Sequence, residues 1–126
     1  MIGYVSVGTN DIERAAAFFD ALLSELGGKR LMEFGPGFIV WGSSFNAPML
    51  ALAKPYDKKP ATVGNGTMVA LAASSKEQVD AIYKKAMELG ATDEGAPGPR
   101  GEQGNFYAAY FRDLDGNKFN AFYISQ

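Results

Sequence analysis

The chain has 126 residues, 47% hydrophobic and 13% aromatic, enough for one compact core and too few for two ordinary domains. Its 12 basic and 14 acidic side chains are spread along the chain for a net charge of -2, leaving no polybasic face to hold nucleic acid or an anionic membrane. Histidine and cysteine are both absent, which excludes disulfides, thiolate ligands, a cysteine nucleophile, Ser-His-Asp chemistry and the two-histidine, one-carboxylate iron site.

The N-terminal run MIGYVSVGTND has no basic region followed by an apolar stretch and a cleavage site, and no apolar run approaches the roughly 18 residues of a spanning helix. A soluble, cytoplasmic protein is expected. Residues 2–8, IGYVSVG, read as an apolar strand, and Thr9-Asn10-Asp11 offers a cap for a helix. From Ile12 to Leu26 the apolar positions Ile12, Ala15, Ala16, Phe19, Leu22, Leu23 and Leu26 recur every three or four residues, and Gly27-Gly28 stops the helix. Three strands follow, at 30–34, at 38–41 after Gly35-Pro36-Gly37, and at 49–54 between Pro48 and Pro55. Residues 56–66 are polar, with Lys58-Lys59-Pro60 and Gly64-Asn65-Gly66, and read as a linker.

The pattern then restarts. A strand at 67–73 leads to Ser74-Ser75 as a cap, with Glu77 placed for a capping box, and a helix runs through Val79, Ile82, Ala86 and Leu89 to Gly90. Residues 95–104 read as a Pro/Gly-rich loop, and strands at 106–112 and 118–124 flank the turn Asp113-Leu114-Asp115-Gly116-Asn117. Both halves read as βαβββ. Tyr4 aligns with Met68 and Leu26-Gly27 with Leu89-Gly90, so the register survives a whole helix with one gap, as an internal repeat requires. The expected organisation is a single domain over 1–126, with module one at 1–55, the linker at 56–66 and module two at 67–126. Two nucleotide motifs fail: Gly64-Asn65-Gly66 has Val69 where a third glycine should stand, and GPRGEQGN lacks the Lys-Ser/Thr of a P-loop and leads to a strand.

The order VSVGTNDIERAAAFFDALLSELG, then a repeat, then YFRDLDGNKFNAFY resembles the vicinal oxygen chelate superfamily: glyoxalase I, the extradiol dioxygenases, and the bleomycin and fosfomycin resistance proteins. The resemblance spans essentially the whole chain and is most specific in the first strand and helix and in the DxDGN turn. It implies an α+β fold in which two βαβββ modules form half-barrel sheets around a cleft that holds substrate and metal, and it implies a homodimer. Carried over position by position, the family's metal ligands fall at Tyr4, at Met68, at or near Ala51, and at Asn120 for the glutamate that follows the turn. Phenol, thioether, methyl and amide are poor company for nickel, zinc, manganese or iron. No metal and no cofactor are therefore expected.

What remains is a pocket of aromatic and polar side chains: Tyr4, Trp41, Met68, Arg100, Glu102, Tyr110 and Asn120. Trp41, Tyr107 and Tyr110 can stack on a planar ligand, and Tyr4 and Asn120 can supply a phenol and an amide. Alternating aromatic residues on strands also serve as core or dimer packing, and Met68 also serves as a gap-filler. Among the charged residues Lys54, Arg100, Glu102, Arg112 and Lys118, the first expectation falls on Arg100 and Glu102, on a loop able to act as a lid. No catalytic residue is assigned. The reading is a metal-independent, homodimeric small-molecule-binding protein; the alternative is a glyoxalase-type lyase or isomerase, or another enzyme of the superfamily with a non-standard site.

Overall fold

Each half of the chain builds a four-stranded sheet with one helix laid across one of its faces. The computed structural model describes residues 1–126 and divides into two units, Met1–Val63 and Gly64–Gln126. The class is α+β, with two βαβββ modules as the repeat implies. No helix is long and apolar enough to cross a membrane.

The first unit contains β1 (Tyr4–Gly8), α1 (Ile12–Ser24), β2 (Lys29–Glu33), β3 (Phe38–Gly42) and β4 (Met49–Ala53), with sheet order β1-β4-β3-β2. β1 runs parallel to β4 and the other neighbours are antiparallel. Helix α1 begins where the Asp11 side chain accepts a hydrogen bond from the Arg14 amide at 3.1 Å, satisfying a donor that the first turn cannot. It ends at Ser24, two residues before the expected Leu26. Gly27, at φ +76°, lets the Gly28 amide return to the Leu23 carbonyl at 2.8 Å, so Glu25 and Leu26 lie in the closing turn.

Alternation along the strands sorts the side chains. Ile39 and Trp41 of β3, paired with Leu52 and Leu50 of β4, lie on the face covered by α1 and pack there with Phe19 and Leu22. Each side chain of this size contributes about 1.5–3 kcal/mol on burial. Asp20 of α1 ties the helix down, accepting from the Trp41 indole at 2.9 Å and from two Arg30 nitrogens at 2.8 Å each.

The second unit contains β5 (Val69–Ala72), α2 (Lys76–Glu88), β6 (Thr92–Arg100), β7 (Phe106–Arg112) and β8 (Lys118–Ile124), with order β5-β8-β7-β6 and β5 parallel to β8. The α2 cap is Ser75, which accepts from the Gln78 amide at 3.1 Å. Gln78 rather than Glu77 then holds the reciprocal position, its side-chain oxygen accepting from the Ser74 amide at 2.7 Å. Val79, Ile82 and Ala86 are buried, as are Phe111 and Phe119, whose rings stack at 5.8 Å on the helix-covered face. At the β7–β8 turn, the buried Asp113 carboxylate accepts from the amides of Asp115 and Asn117 at 3.0 and 2.8 Å, as an aspartate opening a turn does. Its burial holds its pKa above the usual aspartate value, against the pull of these hydrogen bonds.

The largest departure from the sequence reading is at residues 95–104. Most of the expected loop is strand: β6 runs from Thr92 to Arg100, pairs with β7, and leaves only a short turn before Phe106. Pro97 and Pro99 are tolerated because β6 is the edge of its sheet, where one side of the backbone needs no partner. The register slips between Asp93 and Gly95 and between Gly95 and Gly98 absorb the glycines as irregularities in the ladder. Gly95 is required by more than its φ of +154°: a Cβ there would stand 3.2 Å from the Tyr110 ring and 3.3 Å from the Arg100 guanidinium.

Candidate functional site

The uncovered faces of the two sheets, those that no helix covers, carry most of the residues singled out in the sequence. On the second sheet, Asn120 of β8 lies between Tyr110 of β7 and Ala70 of β5 in the strand register. Its side chain is 2% exposed, and its Oδ1 is the one buried side-chain nitrogen or oxygen in the chain without a hydrogen-bond partner. An orphaned buried acceptor costs about 1–3 kcal/mol. Native proteins keep few such groups, and those they keep call for a reason.

Around this amide the face is cationic and aromatic. The Arg100 guanidinium lies 5.5 Å and the Lys118 ammonium 5.8 Å from the centre of the Tyr110 ring, within the range of cation–π attraction. Lys118, two residues before Asn120 and on the same face, makes no ion pair. Arg112 is paired with Glu94 and also donates to the Gly116 carbonyl at 2.9 Å. Met68 immediately precedes β5 and is 40% exposed.

Arg100 differs from expectation. It closes a strand, and its guanidinium donates to the carbonyls of Ala96 at 2.7 Å, Gly98 at 2.9 Å and Pro99 at 3.3 Å. These bonds brace the irregular end of β6, so Arg100 is not part of a free lid. Glu102 stands exposed in the short turn beyond it.

On the first sheet, Tyr4 and Ala51 lie on the uncovered face. Tyr4 is 57% exposed and meets Phe38 edge-on at 6.3 Å, and Phe38 in turn meets Phe34 at 6.0 Å. Ala51 is fully buried between Ser6 and Val40 in register.

Trp41 is not brought together with these residues. It is 1% exposed on the helix-covered face, with Phe19 at 5.9 Å and its indole nitrogen bonded to Asp20. Tyr107 also belongs to a helix-covered face: its hydroxyl donates to Asp80 of α2 at 2.7 Å, and that bond raises its pKa. Strand parity decides both placements. Trp41 falls out of phase with Tyr4 and Ala51, and Tyr107 out of phase with Tyr110 and Asn120. Lys118, ranked behind Arg100 and Glu102 on sequence, is the charged residue that the structure sets on the same face as Asn120 and beside the Tyr110 ring. Its spacing of two from Asn120 on one strand was the available signal.

No three aspartate, glutamate, histidine or cysteine side chains converge anywhere in the chain.

Residues 1–121 match the family model described as the Glyoxalase/Bleomycin resistance protein/Dioxygenase superfamily. A crystal structure of a glyoxalase/bleomycin resistance protein from Albidiferax ferrireducens T118 is 36% identical, with 99% of each chain covered and a TM-score of 0.88. A glyoxalase/bleomycin resistance protein/dioxygenase family enzyme from Burkholderia phytofirmans PsJN is 20% identical, with 98% of each chain covered and a TM-score of 0.77. A lactoylglutathione lyase from Agrobacterium tumefaciens is 19% identical over 98% of this chain and 92% of its own, with a TM-score of 0.70; the last two share the fold. Among curated proteins nothing matches.

Proposed function

The chain belongs to the Glyoxalase/Bleomycin resistance protein/Dioxygenase superfamily, and from that premise we propose that it binds a small organic molecule without the help of a metal ion. The observation that carries the proposal is the amide of Asn120, buried with an unsatisfied oxygen on the uncovered face of the second sheet. A ligand hydroxyl or N–H group would satisfy that oxygen, Tyr110 would supply a flanking aromatic surface, and the unpaired Lys118 would attract an acidic group.

The donor set does not fit a hard divalent metal. The positions to which the family resemblance assigns metal ligands hold the phenol of Tyr4, the methyl of Ala51, the thioether of Met68 and the amide of Asn120. Nickel, zinc, manganese and iron in such sites take imidazole, carboxylate or thiolate. The proposal includes a homodimer, supported by exposed apolar side chains on and beside the strands, among them Tyr4, Val5, Phe34 and Ile124.

Native mass spectrometry of the untagged protein tests the reading, because a histidine tag would supply the ligands this chain lacks. The expected result is a metal-free dimer whose mass is unchanged after exposure to nickel, zinc, manganese or iron. A metal bound in stoichiometric amount would overturn the metal-free reading and favour a glyoxalase-type lyase or isomerase.

A further inference from the structure

The segment from Lys54 to Ala61 is not a free connection. Asn10 clamps its end, with Oδ1 accepting from the Ala61 amide at 2.6 Å and Nδ2 donating to the Ala61 carbonyl at 3.2 Å. Within it, the Lys58 amide donates to the Pro55 carbonyl and the Lys59 amide to the Asp57 carboxylate, both at 3.0 Å. The fold-back leaves a groove of about 500 Å³ lined by Thr9, Asn10, Lys54, Lys58 and Lys59 and by the rings of Pro55 and Pro60.

Three of these residues are cations and none is an acid. Arg30, Lys85 and Arg112 are ion-paired, and no lysine of the groove is. Asp57 accepts from the Lys59 amide and Asp11 from the Arg14 amide, and neither is ion-paired with a groove lysine. Lys58 is also the one non-glycine residue with positive φ, at 64°, a conformation that costs a lysine about 1–2 kcal/mol and is held here by the fold-back. A chain of net charge -2 thus gathers three exposed lysines without ion pairs along one open groove, and their mutual repulsion is relieved by a multiply charged anion.

From this groove we infer a second binding site, one that takes a small organic phosphate. A phosphate dianion matches several lysine point charges better than a single carboxylate does. The groove's volume leaves room for a carbon skeleton, and the two proline rings offer it apolar walls with no amide donor. The site lies wholly within the first unit and does not depend on the Asn120 reading.

The test is a ¹H–¹⁵N titration of the full chain with ribose 5-phosphate, with ribose and inorganic phosphate as separate arms. Saturable shifts confined to residues 9–11 and 54–61 are expected with the ester, weaker ones with inorganic phosphate and none with ribose. The double variant Lys58→Asn, Lys59→Gln should bind about tenfold more weakly; asparagine tolerates the backbone at position 58, and circular dichroism would verify the fold. Lys84→Gln with Lys85→Gln, two helix lysines outside the groove, should leave the affinity unchanged. Absence of saturation, equal weakening in both double variants, or equal affinity for inorganic phosphate and the ester would each overturn the inference.

Discussion

Ala51 and Asn120 occupy the same place in the two halves of the repeat. Ala51 of β4 stands between Ser6 and Val40, and Asn120 of β8 stands between Ala70 and Tyr110, each on the uncovered face of its sheet. Both are buried, but the first position is a methyl among small and apolar neighbours and the second is an amide with an unsatisfied oxygen. One backbone plan has therefore been filled in two ways. The first unit has closed its position by packing, while the second retains a polar group at a cost that packing would remove. The difference teaches that the repeat sets a pair of equivalent positions, and that one residue per half decides whether a buried polar group is kept there.

The largest effects should come from what the halves share. Phe19→Ala and Phe111→Ala each remove a fully buried ring from a helix-covered face, and each should lower stability by about 3–5 kcal/mol in urea unfolding followed by circular dichroism. A large inequality between them would break the equivalence of the two cores. Next, Ala51→Asn should cost about 2–4 kcal/mol, because it puts a larger, polar side chain at a fully buried position. A neutral outcome would show that the first unit tolerates the polar group that it lacks.

The reverse change has the opposite sign. Asn120→Leu, nearly equal in size, removes the orphaned acceptor and should raise stability by about 1 kcal/mol while weakening binding of any ligand retained by the parent protein. A loss of stability would mean that the Asn120 oxygen is satisfied in the folded protein.

The smallest effect separates two aspartates. Hydrogen bonding to Arg30 holds the Asp20 pKa below the ordinary value of 3.8, so its contribution to stability is present above that value and is lost as pH falls through the folded pKa. Asp113 runs the other way: burial raises its pKa, so its protonated form favours the folded state and stability falls as pH rises from 3.8 through the folded pKa. Trp41, the sole tryptophan, is bonded to Asp20, and its fluorescence should change with a midpoint below pH 3.8. Arg30→Gln should move that midpoint upward and Asp113→Asn should leave it in place; an unmoved midpoint in the Arg30 variant would remove the arginine from the account.

The lower pieces of the fold were legible because their causes are local. Asp11 and Gly27 mark the ends of α1 through the first free amides and the left-handed turn, and Asp113 organises its own turn, all within a few residues of sequence. The repeat was legible because it needs only like residues in like order. Composition alone removed histidine and cysteine chemistry. Residues 95–104 were misread because proline and glycine report local backbone preference, whereas an edge strand is made by the neighbour that pairs with it, here β7.

The same division separates what the amino-acid order determined from what tertiary structure decided. The order determined two βαβββ modules and the residue types at the positions where the superfamily resemblance places a metal. Tertiary structure decided that Trp41 turns into the helix-covered core, that Arg100 braces β6, that Lys118 joins Tyr110 beside Asn120, and that the Asn120 oxygen has no partner. The physical reason is that parity, register and burial belong to pairs of strands: a side chain's face and its hydrogen-bond partners depend on residues tens of positions away.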